Sequence, residues 1–70
     1  MAVIYVKEQG ATVQKVGERI IVTKNQNRFL DMPVFQNENI AVIGNVQITT
    51  QALHMLMEKG VDVFHVELQV

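Results

Sequence analysis

Residues 12–24 read Thr-Val-Gln-Lys-Val-Gly-Glu-Arg-Ile-Ile-Val-Thr-Lys, two β-branched runs separated by Gly17-Glu18. Glycine at the first central position of a two-residue loop suits a type II′ turn, whose twist matches that of the flanking strands. A hairpin over Thr12 to Val16 and Arg19 to Lys24 follows, and the loop length fixes its register. Val13 pairs with Val22 and Lys15 with Ile20 on one face, while Gln14 meets Ile21 and Thr12 meets Thr23 on the other. One face is drier than the other.

On the N-terminal side, Val3 to Lys7 is almost continuously apolar and β-branched or aromatic, the pattern of a strand covered on both faces. Gln9-Gly10 closes it with a turn. On the C-terminal side Asn25 to Arg28 forms a polar loop. Pro33, which lacks an amide donor, limits Phe29 to Met32 and Val34-Phe35 to short strands at an edge or break. After a polar turn at Gln36 to Asn39, Ile40 to Ile43 reads as a short buried strand that ends at Gly44-Asn45, and Val46 to Ile48 continues as a strand.

Thr49 or Thr50 is placed to cap a helix over residues 50–59, with Lys59 in its last turn and Gly60 just past its end. At about 100° per residue, Ala52, Leu53, Leu56 and Met57 share one arc, and Met55 falls among the polar residues as an interface candidate. Beyond Val61 and Val63, strict alternation puts Phe64, Val66, Leu68 and Val70 on one face of a half-buried strand and His65, Glu67 and Gln69 on the other. That apolar face, with Met55, is the candidate self-association surface. The fold class is α+β but mainly β. It is a single domain over residues 1–70, a two-layer, sandwich-like arrangement of short strands closed by one helix near residues 50–59.

Seventy residues bury only about 60% of the surface their unfolded chain exposes, and without cysteine there is no disulfide or thiolate metal site to compensate. Self-association is the expected aid. The net charge of -1 argues against binding nucleic acid through bulk positive charge. The charge is uneven, however: Lys15, Arg19, Lys24 and Arg28 face only Glu18 within residues 15–28, so these four are the candidate contacts to a DNA backbone. His54 with Glu58 and His65 with Glu67 are each half of a metal site without a third ligand, and read as surface pairs. Thr12, Thr23, Thr49 and Thr50 have no activating neighbour, and the glycines are scattered singly rather than gathered in a phosphate loop. The longest apolar run, Ala2 to Val6, is too short for a membrane span or a signal-peptide core, so a cytoplasmic location is expected.

Taken in order, the first strand, the Gly17-Glu18 hairpin, Ile40-Ala-Val-Ile-Gly44 and Thr49-Thr50-Gln-Ala-Leu-His-Met-Leu-Met-Glu-Lys-Gly60-Val61-Asp-Val63 resemble the start of the CRISPR-associated spacer-acquisition endonuclease and integrase family. The matching features are Ile43-Gly44, Ala52-Leu53, Leu56, Gly60 and the alternating valines Val61 and Val63. These are fold-shaping residues. The resemblance implies an N-terminal β domain that forms a homodimer, braces double-stranded DNA and works with a second, smaller CRISPR-associated protein in antiviral defence. It implies, too, a C-terminal helical domain holding the catalytic Mg or Mn ion. None of the family's metal ligands maps onto this chain, so no catalytic or metal residue and no cofactor is assigned to it, and cleavage by this chain alone is not expected. The sequence departs from the family after Val63, where Phe64 to Val70 stay apolar and alternating instead of entering a polar linker. Two other readings stand beside this one: a strand-addition interaction module without catalysis, and a nucleic-acid-binding β module using the four basic residues.

Overall fold

The computed structural model describes residues 3–35 and 38–67, and in it the hairpin forms in the anticipated register. In chain order the elements are β1 (Val3–Val6), β2 (Thr12–Val16), β3 (Arg19–Lys24), β4 (Asn27–Pro33), β5 (Asn39–Ile43), β6 (Gln47–Ile48), α1 (Thr50–Glu58) and β7 (Asp62–Val66). Gly17 takes φ 60° while Glu18 stays at negative φ, the combination a type II′ turn requires. A second tight turn replaces the expected polar loop at Asn25 to Arg28. Asn25 and Gln26 both adopt positive φ, at 52° and 67°, and β3 turns directly into β4. Pairing with β3 carries β4 through seven residues to Pro33, where two short interrupted strands were expected, with a register shift between Val22 and Thr23. Proline is tolerated because β4 is the edge strand of its sheet and Pro33 is its last residue.

Two sheets result. One is four-stranded in the order β4-β3-β2-β6; the other is three-stranded and wholly parallel in the order β1-β5-β7. Parallel neighbours need crossovers. Strands β2 to β4 intervene between β1 and β5, and β6 with α1 intervenes between β5 and β7. The inner face of the parallel sheet, Ile4, Val6, Ile40, Val42 and Val63, packs with Val13, Ile20 and Val22 of the hairpin and Met55 and Leu56 of the helix in one apolar cluster. The sequence left open which hairpin face is covered, and the one carrying Val13, Ile20 and Val22 faces this core.

The helix is capped at both ends as its sequence indicates. Thr49 is the N-cap, its hydroxyl oxygen accepting a bond from the Ala52 amide at 3.2 Å. Gly60, at φ 70°, terminates it with paired bonds from the Gly60 amide to the Met57 carbonyl (3.1 Å) and from the Val61 amide to the Leu56 carbonyl (2.9 Å). That is a Schellman motif, and its apolar partners Leu56 and Val61 are both buried. The buried face is rotated from the one expected. Ala52, Met55 and Leu56 are inside, whereas Leu53 is 36% exposed and Met57 is 66% exposed. Met55 is thereby removed as an interface residue, because β2 and β7 approach the helix on its side.

Two further expectations change. Strand β1 is covered on one face only, with Val3 and Tyr5 exposed, because it is the edge of a sheet whose crossovers leave its outer side bare. Strand β7 alternates as expected, but Val63 is its core contact while Phe64 and Val66 point outward. Leu68 and Val70 lie outside the described residues. The strand ends are tied by Gln9, whose amide nitrogen donates to the carbonyls of Lys7 (2.9 Å) and Ile43 (2.8 Å) while its oxygen accepts from the Asn45 amide (2.7 Å).

The rotated helix face predicts that Met55→Lys destabilises the fold by more than about 3 kcal/mol in urea denaturation, because it places an unpaired charge in the core. Met57→Lys, on the exposed face, changes stability by less than about 0.5 kcal/mol in the same measurement. Gln9→Ala removes three hydrogen bonds from an exposed clasp and is expected to lower stability by about 1 kcal/mol.

Candidate interaction surfaces

Arg19 and Arg28 share the open face of the four-stranded sheet, and Asp31 lies between them. The Arg19 Nε donates to Asp31 Oδ1 at 2.7 Å and the Arg28 Nη1 to Oδ2 at 3.3 Å. The Arg19 hydrogen bond, ahead of the charge of either guanidinium, holds the Asp31 carboxyl below its ordinary value. Lys24 belongs to the opposite face, where it stands 3.6 Å from Glu8. Lys15, on the same face as Val13 and at the other end of the hairpin from Lys24, makes no ion pair among the described residues. The four basic residues therefore do not form one patch. Two converge on a carboxylate, and the other two stand at opposite ends of the reverse face.

Lys15 borders a shallow open cleft of about 580 Å³ between the hairpin end and α1, together with Glu18, Gln51, His54, Glu58 and Lys59. The sequence left this cleft unseen, since Lys59 was read only as a helix-end cation. In the structure its ammonium reaches Glu18 Oε2 at 2.7 Å, and that hydrogen bond lowers the Glu18 carboxyl pKa. Its lining sets both signs of charge, mostly on exposed side chains, around the buried Met55, which suits solvent or a rim contact rather than a buried ligand.

The divalent cation implied by the resemblance does not fit here. No three His, Asp or Glu side chains converge to hold a metal ion among the described residues. His65 Nε2 lies 3.1 Å from the Gly44 carbonyl, and His54 is on the exposed side of α1.

The second surface is apolar. Val3 and Tyr5 of β1 and Phe64 and Val66 of β7 are each between 44% and 60% exposed on the outer side of the parallel sheet, flanking Ala41 and Ile43 of β5. The sequence located the β7 half of this surface through its alternation. It missed the β1 half, which the continuous apolar run from Val3 made to look buried on both faces. No helix among the described residues is long and apolar enough to cross a membrane.

Comparison with known proteins agrees with this architecture. The family model for CRISPR associated protein Cas1 matches residues 4–69. A curated relative, CRISPR-associated endonuclease Cas1 1 of Thermus thermophilus, is 30% identical over 66 residues, covering 94% of this chain and 21% of the relative. The crystal structure of TtCas1 superposes with a TM-score of 0.74 at 24% identity over 90% of this chain and 24% of its own, a likeness of fold. The chain thus spans about a fifth of the length of the curated relative it matches. With the order of strands, the capped helix and a family match running almost from end to end, this chain belongs to the CRISPR-associated protein Cas1 family.

Proposed function

We propose that this chain acts as the N-terminal dimerisation and DNA-bracing domain of a CRISPR-associated endonuclease and integrase in spacer acquisition. The observation that carries this reading is the family match over residues 4–69 on a stretch equal to about a fifth of the relative's length. On this reading the domain shapes and positions, and the divalent-metal chemistry of DNA cutting is not assigned to its residues. Its partners on this reading are a second copy of itself, double-stranded DNA and a smaller CRISPR-associated protein. The backbone contacts fall to Lys15, which makes no ion pair among the described residues, and to Arg19 and Arg28, whose guanidinium groups are exposed around Asp31.

With three phosphate contacts, affinity for a DNA duplex is expected to fall about 40-fold between 50 and 200 mM salt, and Lys15→Ala to flatten that salt dependence by about one contact. Fluorescence anisotropy of a labelled duplex measures both. No detectable binding at the lower salt concentration, or binding indifferent to salt, would remove DNA bracing from the account. The purified 70-residue protein is expected to leave duplex DNA intact with Mg²⁺ or Mn²⁺. Metal-dependent cleavage lost on substituting His54 or His65 would place catalysis in this chain instead.

A further inference from the structure

Residues three apart in a regular strand point to opposite faces of their sheet. Arg28 and Asp31 nonetheless meet on one face, with the Arg28 Nη1 3.3 Å from Asp31 Oδ2. The cause is the irregularity in the pairing of β3 with β4. Leu30 stands opposite Val22 and Arg28 opposite Thr23, so Phe29 has no partner across the ladder and β4 carries one extra residue there. A bulge of this kind re-aims the side chains beside it. The extra residue brings Arg28 round to the face of Arg19 and Asp31, where a strand of regular pleat would hold it away.

The two arginines are held unequally. Arg19 donates twice, from Nε to Asp31 Oδ1 at 2.7 Å and from Nη2 to the Asp31 carbonyl at 3.3 Å. Arg28 donates once, at 3.3 Å, and its side chain is 64% exposed against 48% for that of Arg19. Arg19 is the anchored arm of this fork and Arg28 the loose one. Each oxygen of the carboxylate takes one guanidinium, and two cations on one carboxylate leave one positive charge uncompensated.

We propose that Asp31 is an internal stand-in for a DNA phosphodiester, filling the fork between Arg19 and Arg28 in the free domain and giving up Arg28 when a backbone phosphate takes its place. The proposal rests on the reading of these two arginines as backbone contacts, and it adds the residue that governs them. A carboxylate and a phosphodiester each spread one negative charge over two oxygens, and guanidinium N–H groups donate to both in the same geometry. Exposed ion pairs are weak, so displacement is easy. It is still a competition, and Asp31 makes each arginine a poorer phosphate contact than a vacant fork would be. Asp31 thereby limits the grip on DNA and keeps it reversible.

Fluorescence anisotropy of a labelled duplex at 50 mM salt tests this on the purified 70-residue protein, with circular dichroism showing that each variant is folded. Asp31→Asn keeps the size of the side chain and an oxygen for Arg19 but withdraws the charge, and it is expected to bind about tenfold more tightly than wild type. Glu67→Gln removes the same charge from an exposed position just past β7 of the other sheet, and is expected to change affinity by less than about twofold. Arg28→Ala is expected to cost about threefold in the wild type and about tenfold or more in the Asp31→Asn background, because only there does Arg28 hold phosphate without a competitor. An equal cost in the two backgrounds, or a gain from Glu67→Gln matching that from Asp31→Asn, overturns the stand-in and leaves DNA bracing in place. An affinity unchanged by Asp31→Asn in a wild type that binds does the same. Absence of binding by wild type and Asp31→Asn alike overturns both this proposal and the reading beneath it.

Discussion

Parallel pairing along β5 is the constraint on which the rest of this structure depends. β5 is hydrogen-bonded to β1 on one side and to β7 on the other, all three running the same way. Neither neighbour is reachable by a hairpin, so the chain must leave the sheet and return to it twice. The first excursion is the β2 to β4 system and the second is β6 with α1. Both deliver apolar side chains to the inner face of the parallel sheet, where Val13, Ile20, Val22 and Leu56 meet Ile40 and Val42 in one cluster. The short β6 strand, which adds only two residues, joins the start of this second excursion to the four-stranded sheet by pairing with β2. An outer face bare of covering chain is the other consequence of that topology, and it is why a small domain with a well-formed core still displays Tyr5 and Phe64 to solvent.

Charge on this domain is mostly neutralised locally. Asp31 holds two arginines, Glu18 holds Lys59 and Glu8 approaches Lys24, all with side chains partly or largely in solvent and so with small contributions to stability. What these pairs do is remove the apparent basic cluster of residues 15–28. A cluster in sequence became two groups on opposite faces, because neighbours in a strand point to opposite sides and the two ends of a hairpin strand lie far apart. Lys15 is left without an ion pair among the described residues, and with the paired Arg19 and Arg28 it carries the DNA-contact role proposed above.

Local chemistry was legible in the sequence wherever a single residue type decides a conformation. Gly17 determined the hairpin and its register, Thr49 the start of the helix, and Gly60 its end. The ordered series of these elements also carried the family resemblance, since the matching residues are the ones that shape turns and caps. Tertiary contacts decided what the sequence did not. Met55 and Met57 are chemically alike, and only the approach of β2 and β7 selects Met55 for the core. Asn25 and Gln26 carry no glycine to announce a tight turn, yet β3 and β4 pair directly across them. The unbroken apolar run of β1 signals coverage on both faces, and among the described residues it is met on one face only. The exposed apolar residues were partly visible as an alternating face on β7. Their counterparts on β1 were hidden because parallel neighbours far apart in sequence leave no local periodicity in common.

The central claim is that this chain is a self-associating domain, with the outer face of the parallel sheet as its exposed apolar surface. Recording amide nitrogen and proton chemical shifts of the isotopically labelled protein across a dilution series tests it most directly. The account predicts concentration-dependent shifts at Val3, Tyr5, Ala41, Ile43, Phe64 and Val66, with the exposed helix positions Leu53 and Met57 and the β4 edge unchanged. Shifts confined to β4 or α1, or a spectrum independent of concentration, would contradict it.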